Sequence, residues 1–303
     1  MLVSGWGRTV LALRRAACVV SDLCVLGCSP SGDAAALCDP PRRTGTLPDE
    51  IRESSGLAAS RRLPGVFWTH DDSGGDALLF AGDSAGALLG RVRVADARNR
   101  DWEALALGPC PSGDCLYIAD TGDNQGGRDD VAIYRVPEPR PEDSATAPAE
   151  RLPIRYPEGH PDTEAIYVLL DGGIHLVTKG RNTPVTVYRY PGEARPEQTV
   201  EVVLVGRLTR KPVPLPYQVT GAAASPDGRW VVVRTYTAVQ IYQVGRRGRL
   251  RPRLAGTGID VQTLAEPQGE AVAVTEDGAI VLTSEAGPEP VPGTIGWIDC
   301  RLE

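Results

Sequence analysis

Ser55-Gly56-Leu57-Ala58-Ala59 is the first of five segments that share one pattern, a small or acidic residue followed by an alternating run of small and apolar residues. The others are Glu103-Ala104-Leu105-Ala106-Leu107, Glu164-Ala165-Ile166-Tyr167-Val168, Gly221-Ala222-Ala223-Ala224-Ser225 and Glu270-Ala271-Val272-Ala273-Val274. Their first residues lie 48, 61, 57 and 49 positions apart. A repeat of that length is the size of one β-propeller blade. The period-two alternation predicts strands rather than helices. Small side chains on the first strand of each repeat suit the crowded axis of such a ring.

Outward from these segments the pattern continues. Turns such as Pro111-Ser112-Gly113-Asp114, Asp171-Gly172-Gly173 and Pro226-Asp227-Gly228 lead into second apolar strands, among them Leu116–Ala119 and Val231–Val233. Third strands follow at Leu78–Ala81, Ala132–Val136, Val185–Tyr190 and Val239–Val244, and more polar outer strands at Arg91–Ala95 and Val200–Leu208. The fold class read from this is all-β, a β-propeller of five four-stranded blades. A sixth blade within Pro137–Pro157 is the alternative, although Pro137-Glu138-Pro139-Arg140-Pro141-Glu142 reads as a loop. The fifth repeat runs out of chain before a fourth strand. A spare segment near residues 38–52 is therefore predicted to complete it, closing the ring and removing its exposed edges.

The composition agrees. The chain of 303 residues is 42% hydrophobic, enough to bury a core, and its 34 glycines and 26 prolines favour many turns. A net charge of −7 argues against a nucleic-acid or anionic-membrane binder. The one basic run, Arg246–Arg253, lacks aromatic interleaving and reads as a solvated hairpin loop. Residues 1–28 read as a targeting segment, with Arg8, Arg14 and Arg15 before an apolar stretch too short to span a bilayer. It ends in Val25-Leu26-Gly27-Cys28, which resembles a bacterial lipobox with Cys28 as the lipidated residue; a secretory cut after Ala34-Ala35-Ala36 is the rival. Residues 29–37 form a linker and 38–303 one propeller domain. The predicted location is exported, as a cell-envelope lipoprotein or a secreted protein, and the protein a monomer.

Of seven cysteines, four remain once Cys18, Cys24 and Cys28 are set aside. An even remainder suits an oxidising compartment. Cys110 and Cys115 flank a predicted turn and pair locally; Cys38 and Cys300 meet if the ring closes as argued.

The site is expected where loops entering first strands and leaving second strands share one face. The first-strand positions are Ser55, Glu103, Glu164, Gly221 and Glu270, and the second-strand ends are His70, Asp120, Lys179, Arg234 and Glu285. Such charges, brought together, pair with each other, bind a cation or bind a polar ligand. Ligand-binding candidates are Glu103, Glu164, Glu270, Glu285, His70, Lys179 and Arg234. Metal candidates are Asp101, Asp120, Asp123, Asn124 and Asp72, oxygen donors of the kind that hold Ca²⁺. No nucleophilic triad is legible.

Ser55-Gly56-Leu57, Trp68-Thr69-His70-Asp71-Asp72-Ser73-Gly74, Asp101-Trp102-Glu103, Ile118-Ala119-Asp120-Thr121-Gly122-Asp123-Asn124, Arg234-Thr235-Tyr236 and Gln268-Gly269-Glu270-Ala271 occur together. In these the chain resembles a family of bacterial secreted β-propellers, similar in outline to TolB-like and WD40-like propellers, over about residues 50–290. It departs from that pattern at Asp71, where Asn is usual, and at Ala104-Leu105, where Asp-Ile is usual. It is more distantly similar to esterase-like and calcium-dependent phytase propellers, which implies Ca²⁺ and an anionic ligand on one face. The function read from the sequence is an extracytoplasmic propeller binding a polar, anionic or sugar-like small molecule, Ca²⁺-dependent, with phosphoester or ester hydrolysis as its reaction if it is an enzyme. The alternative is a non-catalytic scaffold docking a cell-envelope protein. Whether it is an enzyme stays open at this stage.

Overall fold

The computed structural model describes residues 37–302 except 255 and 257. The proposed targeting segment, including Cys28, lies outside the described residues. Five antiparallel sheets surround one axis. Blade 1 runs Ser54–Ala59, Phe67–Asp71, Leu78–Gly82 and Leu88–Arg93 from the axis outward. Blade 2 runs Trp102–Cys110, Gly113–Asp120, Ala132–Pro137 and Glu150–Arg155. Blade 3 is Thr163–Val168, Ile174–Thr178, Thr186–Arg189 and Val203–Arg207, and blade 4 is Val219–Ala224, Trp230–Thr235, Ala238–Val244 and Leu250–Pro252. Blade 5 takes three strands from the end of the chain, Gln268–Val274, Ile280–Glu285 and Thr294–Ile298.

Its fourth strand is Arg42–Thr46, from the beginning of the chain, with Arg42 opposite Trp297 and Thr46 opposite Thr294. Ring closure is thus as the missing strand requires. Among the described residues no sixth blade forms. Part of the stretch expected as loop, Glu150–Arg155, is the outer strand of blade 2. The expected outer strand Val200–Leu208 divides in two. Val200–Glu201 adds to blade 2 in parallel, and only Val203–Arg207 completes blade 3. Val202 between them is buried, so the short strap seals one blade to the next.

The small residues of the inner strands have a steric cause. A Cβ on Gly56 would lie 2.6 Å from the backbone nitrogen of Leu105 on the next inner strand. A Cβ on Gly221 would lie 2.9 Å from the carbonyl oxygen of Glu270. Larger side chains therefore face the neighbouring sheet instead. The core consists of apolar clusters at the blade junctions: Trp68, Leu79, Trp102 and Ile118 between blades 1 and 2, Ile133 and Leu176 between 2 and 3, Tyr167 and Val231 between 3 and 4, Ile241 and Leu282 between 4 and 5, and Phe80 and Val281 between 5 and 1. Burial of a Leu or Ile there contributes about 1.5–3 kcal/mol.

Two disulfides form. Cys38–Cys300 joins the chain ends, with Cα atoms 4.0 Å apart, beside the closing strand. Cys110–Cys115 spans the hairpin of blade 2, with Cα atoms 5.8 Å apart. Both fit an oxidising, extracytoplasmic compartment. Among the described residues, no helix is long and apolar enough to cross a membrane.

Candidate functional site

In every blade the pairing of the first two strands slips by one residue near the same end. Ser54 pairs with Asp71 but Gly56 with His70; Trp102 with Asp120 but Ala104 with Ala119. Thr163 pairs with Thr178 but Ala165 with Val177; Val219 with Thr235 but Gly221 with Arg234; Gly269 with Ser284 but Ala271 with Thr283. Each slip leaves one extra residue, and the five are Ser55, Glu103, Glu164, Thr220 and Glu270. A bulge of this kind re-aims a side chain.

The register builds two more tiers around that ring. Two positions before each bulge stand Glu53, Asp101, Asp162, Gln218 and Gln268. One residue beyond the partner that precedes each slip stand Asp72, Thr121, Lys179, Tyr236 and Glu285, the last of them paired with Gln268. Eight carboxyl groups thus face one ammonium. They feel one another: Asp72 senses the charges of Asp101, Glu164, Glu285 and Glu53, and Glu270 those of Glu164 and Glu285.

Three oxygens, one each from Asp72, Asp101 and Glu103, lie within 4.8 Å of one another, and so do oxygens of Glu103, Asp162 and Glu164. Glu103 belongs to both trios. Gly122 makes room for them, since a Cβ there would lie 2.3 Å from Glu103 Oε1 and 2.4 Å from Asp101 Oδ2. Glu103 is 4% exposed, and its carboxyl neighbours are Glu164, Asp72 and Asp101. Asp72 Oδ1 and Asp162 Oδ2 are buried without a hydrogen-bond partner. Burial, then the neighbouring carboxylates, push Asp72 up to about 8 and hold Glu103 and Glu270 well above the carboxylate range. Burial brings Glu164 to about 7 despite the pull of Lys179, and Glu285 to about 7 as well. Buried hard oxygen donors that hold protons for want of nearby cations are the kind of group a hard metal ion displaces protons from.

The structure brings Glu103, Glu164, Glu270, Glu285, Asp72, Asp101 and Lys179 together. Gln268 donates to both Glu270 (2.8 Å) and Glu285 (2.8 Å). Lys179 Nζ donates to Glu164 Oε1 at 2.5 Å and stands 3.8 Å from Asp162 Oδ2. His70 and Arg234 are elsewhere. Both lie opposite the residue after the bulge, so they turn into blade junctions rather than the axis. His70 is fully buried edge-on to Trp102, and burial lowers it to about 4, so it is neutral at pH 7. Arg234 is 0% exposed; it pairs with Glu266 and donates to the carbonyls of Ala271 (2.7 Å) and Thr283 (2.9 Å). Register therefore places Asp72 and Tyr236 where His70 and Arg234 are expected from sequence, and Thr220 where Gly221 is.

The Asp120–Asn124 loop is held by its own contacts. Asp120 pairs with Arg128 at 2.8 Å and accepts from the Asp101 amide. Asp123 accepts from the amides of Gly127 and Arg128, and Asn124 accepts from Arg181. Asp120, Asp123 and Asn124 thus shape the wall that positions Gly122 beside the acids. From the sequence Asp162 counts among the acids of the adjacent loops but not among the selected metal or ligand candidates, and Tyr236, Gly122 and Arg128 are not singled out as site residues. Asp162 had a signal, because Asp162-Thr163-Glu164 repeats the spacing of Asp101-Trp102-Glu103.

No protein-family model matches the chain, and no curated protein sequence is similar to it. The resemblance to TolB-like, WD40-like and phytase propellers therefore stands only as far as the propeller fold. Among solved structures, the chain is similar to a PQQ-bound aldose sugar dehydrogenase from Streptomyces coelicolor, at 12% identity and TM-score 0.45, covering 86% of this chain and 98% of that one. It is similar to a gluconolactonase from Xanthomonas campestris at 14% identity and TM-score 0.46, covering 87% and 96%. A virginiamycin B lyase from Staphylococcus aureus shares 10% identity at TM-score 0.44, covering 81% and 67%.

Proposed function

We propose that this is an extracytoplasmic propeller, anchored through Cys28, whose axial carboxylates hold Ca²⁺ and, with it, a polar or anionic small molecule. The observation that carries this reading is the pair of three-acid clusters joined at a buried Glu103 that no basic side chain pairs with among the described residues. Seven further carboxyls crowd around it, with Lys179 among them and Arg128 and Arg181 reaching only the outer pair, Asp101 and Asp162. The chemistry this arrangement supports best is hydrolysis of a phosphoester or ester, where a bound ion supplies an activated water. Lys179 then steadies the anionic group. Glu285, near 7 and at the rim of the cluster, takes and returns the proton.

The test is a panel of chromogenic phosphoesters and carboxylic esters assayed with Ca²⁺ or with chelator. The reading expects Ca²⁺-dependent turnover that Glu285→Gln abolishes. No turnover by calcium-loaded protein overturns the hydrolase reading. A second reading, a non-catalytic envelope scaffold, draws on the fact that Lys179 and Arg234 are each engaged by acids. It expects neither turnover nor any response to Ca²⁺.

A further inference from the structure

The two acid trios share Glu103 but differ in what neutralises them. The trio of Glu103, Asp162 and Glu164 already holds a cation, the ammonium of Lys179. Its backbone is pinned from both sides: the Lys179 amide donates to Asp162 O at 2.9 Å, and its carbonyl accepts from the Val219 amide at 2.9 Å. The side chain is 8% exposed and ends 2.5 Å from Glu164 Oε1 and 3.8 Å from Asp162 Oδ2. The trio of Asp72, Asp101 and Glu103 has no ammonium. Its nearest basic group is Arg128, 3.9 Å from Asp101 and directed mainly at Asp120, 2.8 Å away. Glu103, more than nine-tenths buried, is hydrogen-bonded to the Glu164 carboxyl and to no N–H donor among the described residues, and Asp72 Oδ1 is buried without a partner.

We propose that this is a two-cation centre in which Lys179 permanently fills the second position, leaving one site for a divalent ion at Asp72, Asp101 and Glu103. The inference rests on the cation reading above and deepens it, by assigning the ion to one trio and a fixed role to the lysine. A buried ammonium and a divalent ion are interchangeable as neutralisers of a carboxylate trio but not as ligands' partners. The lysine is tethered and cannot be removed by chelators. The centre therefore keeps the lysine's single charge, one of the three positive charges of the filled centre, at any ion concentration, and this limits the repulsion among its acids when the ion leaves. Two adjacent positions of equal affinity, by contrast, would empty together.

The experiment is calorimetric titration of CaCl₂ into chelator-stripped full-length protein, with ion content checked by equilibrium dialysis. The wild type is expected to bind one Ca²⁺. Lys179→Gln, which vacates the second trio, is expected to bind two, and Lys179→Arg, which keeps the charge, one. Asp72→Asn in the wild-type background is expected to weaken binding at least about tenfold. That variant tests the assignment even if Lys179→Gln does not fold. One ion bound by both wild type and Lys179→Gln overturns this inference while the cation reading stands. Two ions in the wild type overturn it as well, and so does full affinity in Asp72→Asn. No binding by the wild type but one ion in Lys179→Gln upholds the lysine's role and removes the cation reading. No binding by any of them removes both.

Discussion

Gly122 carries no side chain because two carboxylates occupy the space where one would go. Its backbone is not in the left-handed region, so the first atoms an alanine there meets belong to the two carboxyl groups, Glu103 Oε1 at 2.3 Å and Asp101 Oδ2 and Cγ at 2.4 and 2.5 Å. Gly122→Ala is therefore expected to weaken Ca²⁺ binding at least about tenfold while leaving the melting temperature in chelator nearly unchanged. A calorimetric titration beside a melting curve checks both halves. Protonation offers a second probe. Asp72 is held up to about 8, and Glu164 and Glu285 to about 7, whereas unfolded carboxyls release their protons near ~4. The folded state therefore binds more protons than the unfolded one between those values. Stability from these groups is fully present at low pH and is lost as pH rises through about 4 to 8. In chelator the melting temperature is expected to be higher at about pH 5.5 than at about pH 8, and Ca²⁺, replacing the protons, is expected to flatten the slope. A melting temperature that rises with pH in chelator contradicts the charge reading. At this scale the sequence was legible where residue type alone told the story. Asp101 and Glu103 could be picked as oxygen donors from their place before a predicted strand. Gly122 could not, because its role depends on two side chains that approach it from another strand.

At the scale of the element, the same bulge recurs in all five inner strands, and it decides which residues reach the axis. Alternation along the strand was enough to find every inner strand. It was not enough to align their partners, because a one-residue slip changes the face that each later residue presents. Ionisable character made His70 and Arg234 look equivalent to Lys179, whereas register makes them equivalent to Ala119, Val177 and Thr283. That position belongs to the blade junction, and Arg234 acts there as a clamp from blade 4 onto blade 5. Gly269 gives it room: a Cβ at that position would lie 2.0 Å from Arg234 Nη2. Arg234→Ala leaves Glu266 buried without its cation and two carbonyls without donors. It is expected to destabilise the fold by about 3–5 kcal/mol. Denaturant unfolding measures this, and titration of the folded fraction should show Ca²⁺ affinity unchanged. A variant of wild-type stability, or one that unfolds normally but no longer binds the ion, contradicts the separation of clamp from site.

Over the whole molecule, the ring is held shut twice, by Arg42–Thr46 pairing with Thr294–Ile298 and by the Cys38–Cys300 bond just beyond that pairing. This closure was legible because the fifth repeat visibly lacked a strand and an unused segment stood at the other end of the chain. The split of 200–207 between two blades was not, since both pieces read equally well as one polar outer strand. The bond spans 262 positions, so the chain-entropy account gives it an upper value of about 5 kcal/mol. Cys38→Ser with Cys300→Ser is expected to lower stability by a large part of that, while Cys110→Ser with Cys115→Ser, which opens a hairpin already paired by its own strands, lowers it less. Equal losses in the two double variants would show that closure adds nothing beyond a local staple. The ring matters to the proposed site because it holds acids from three blades at one point: Asp72 from blade 1, Asp101 and Glu103 from blade 2, Asp162 and Glu164 from blade 3. The most direct test of that convergence is calorimetric titration of Ca²⁺ into chelator-stripped protein near neutral pH, wild type against Glu103→Gln. Saturable binding in the wild type that Glu103→Gln abolishes is the result predicted. Absence of binding in the wild type, or equal binding in both, contradicts it.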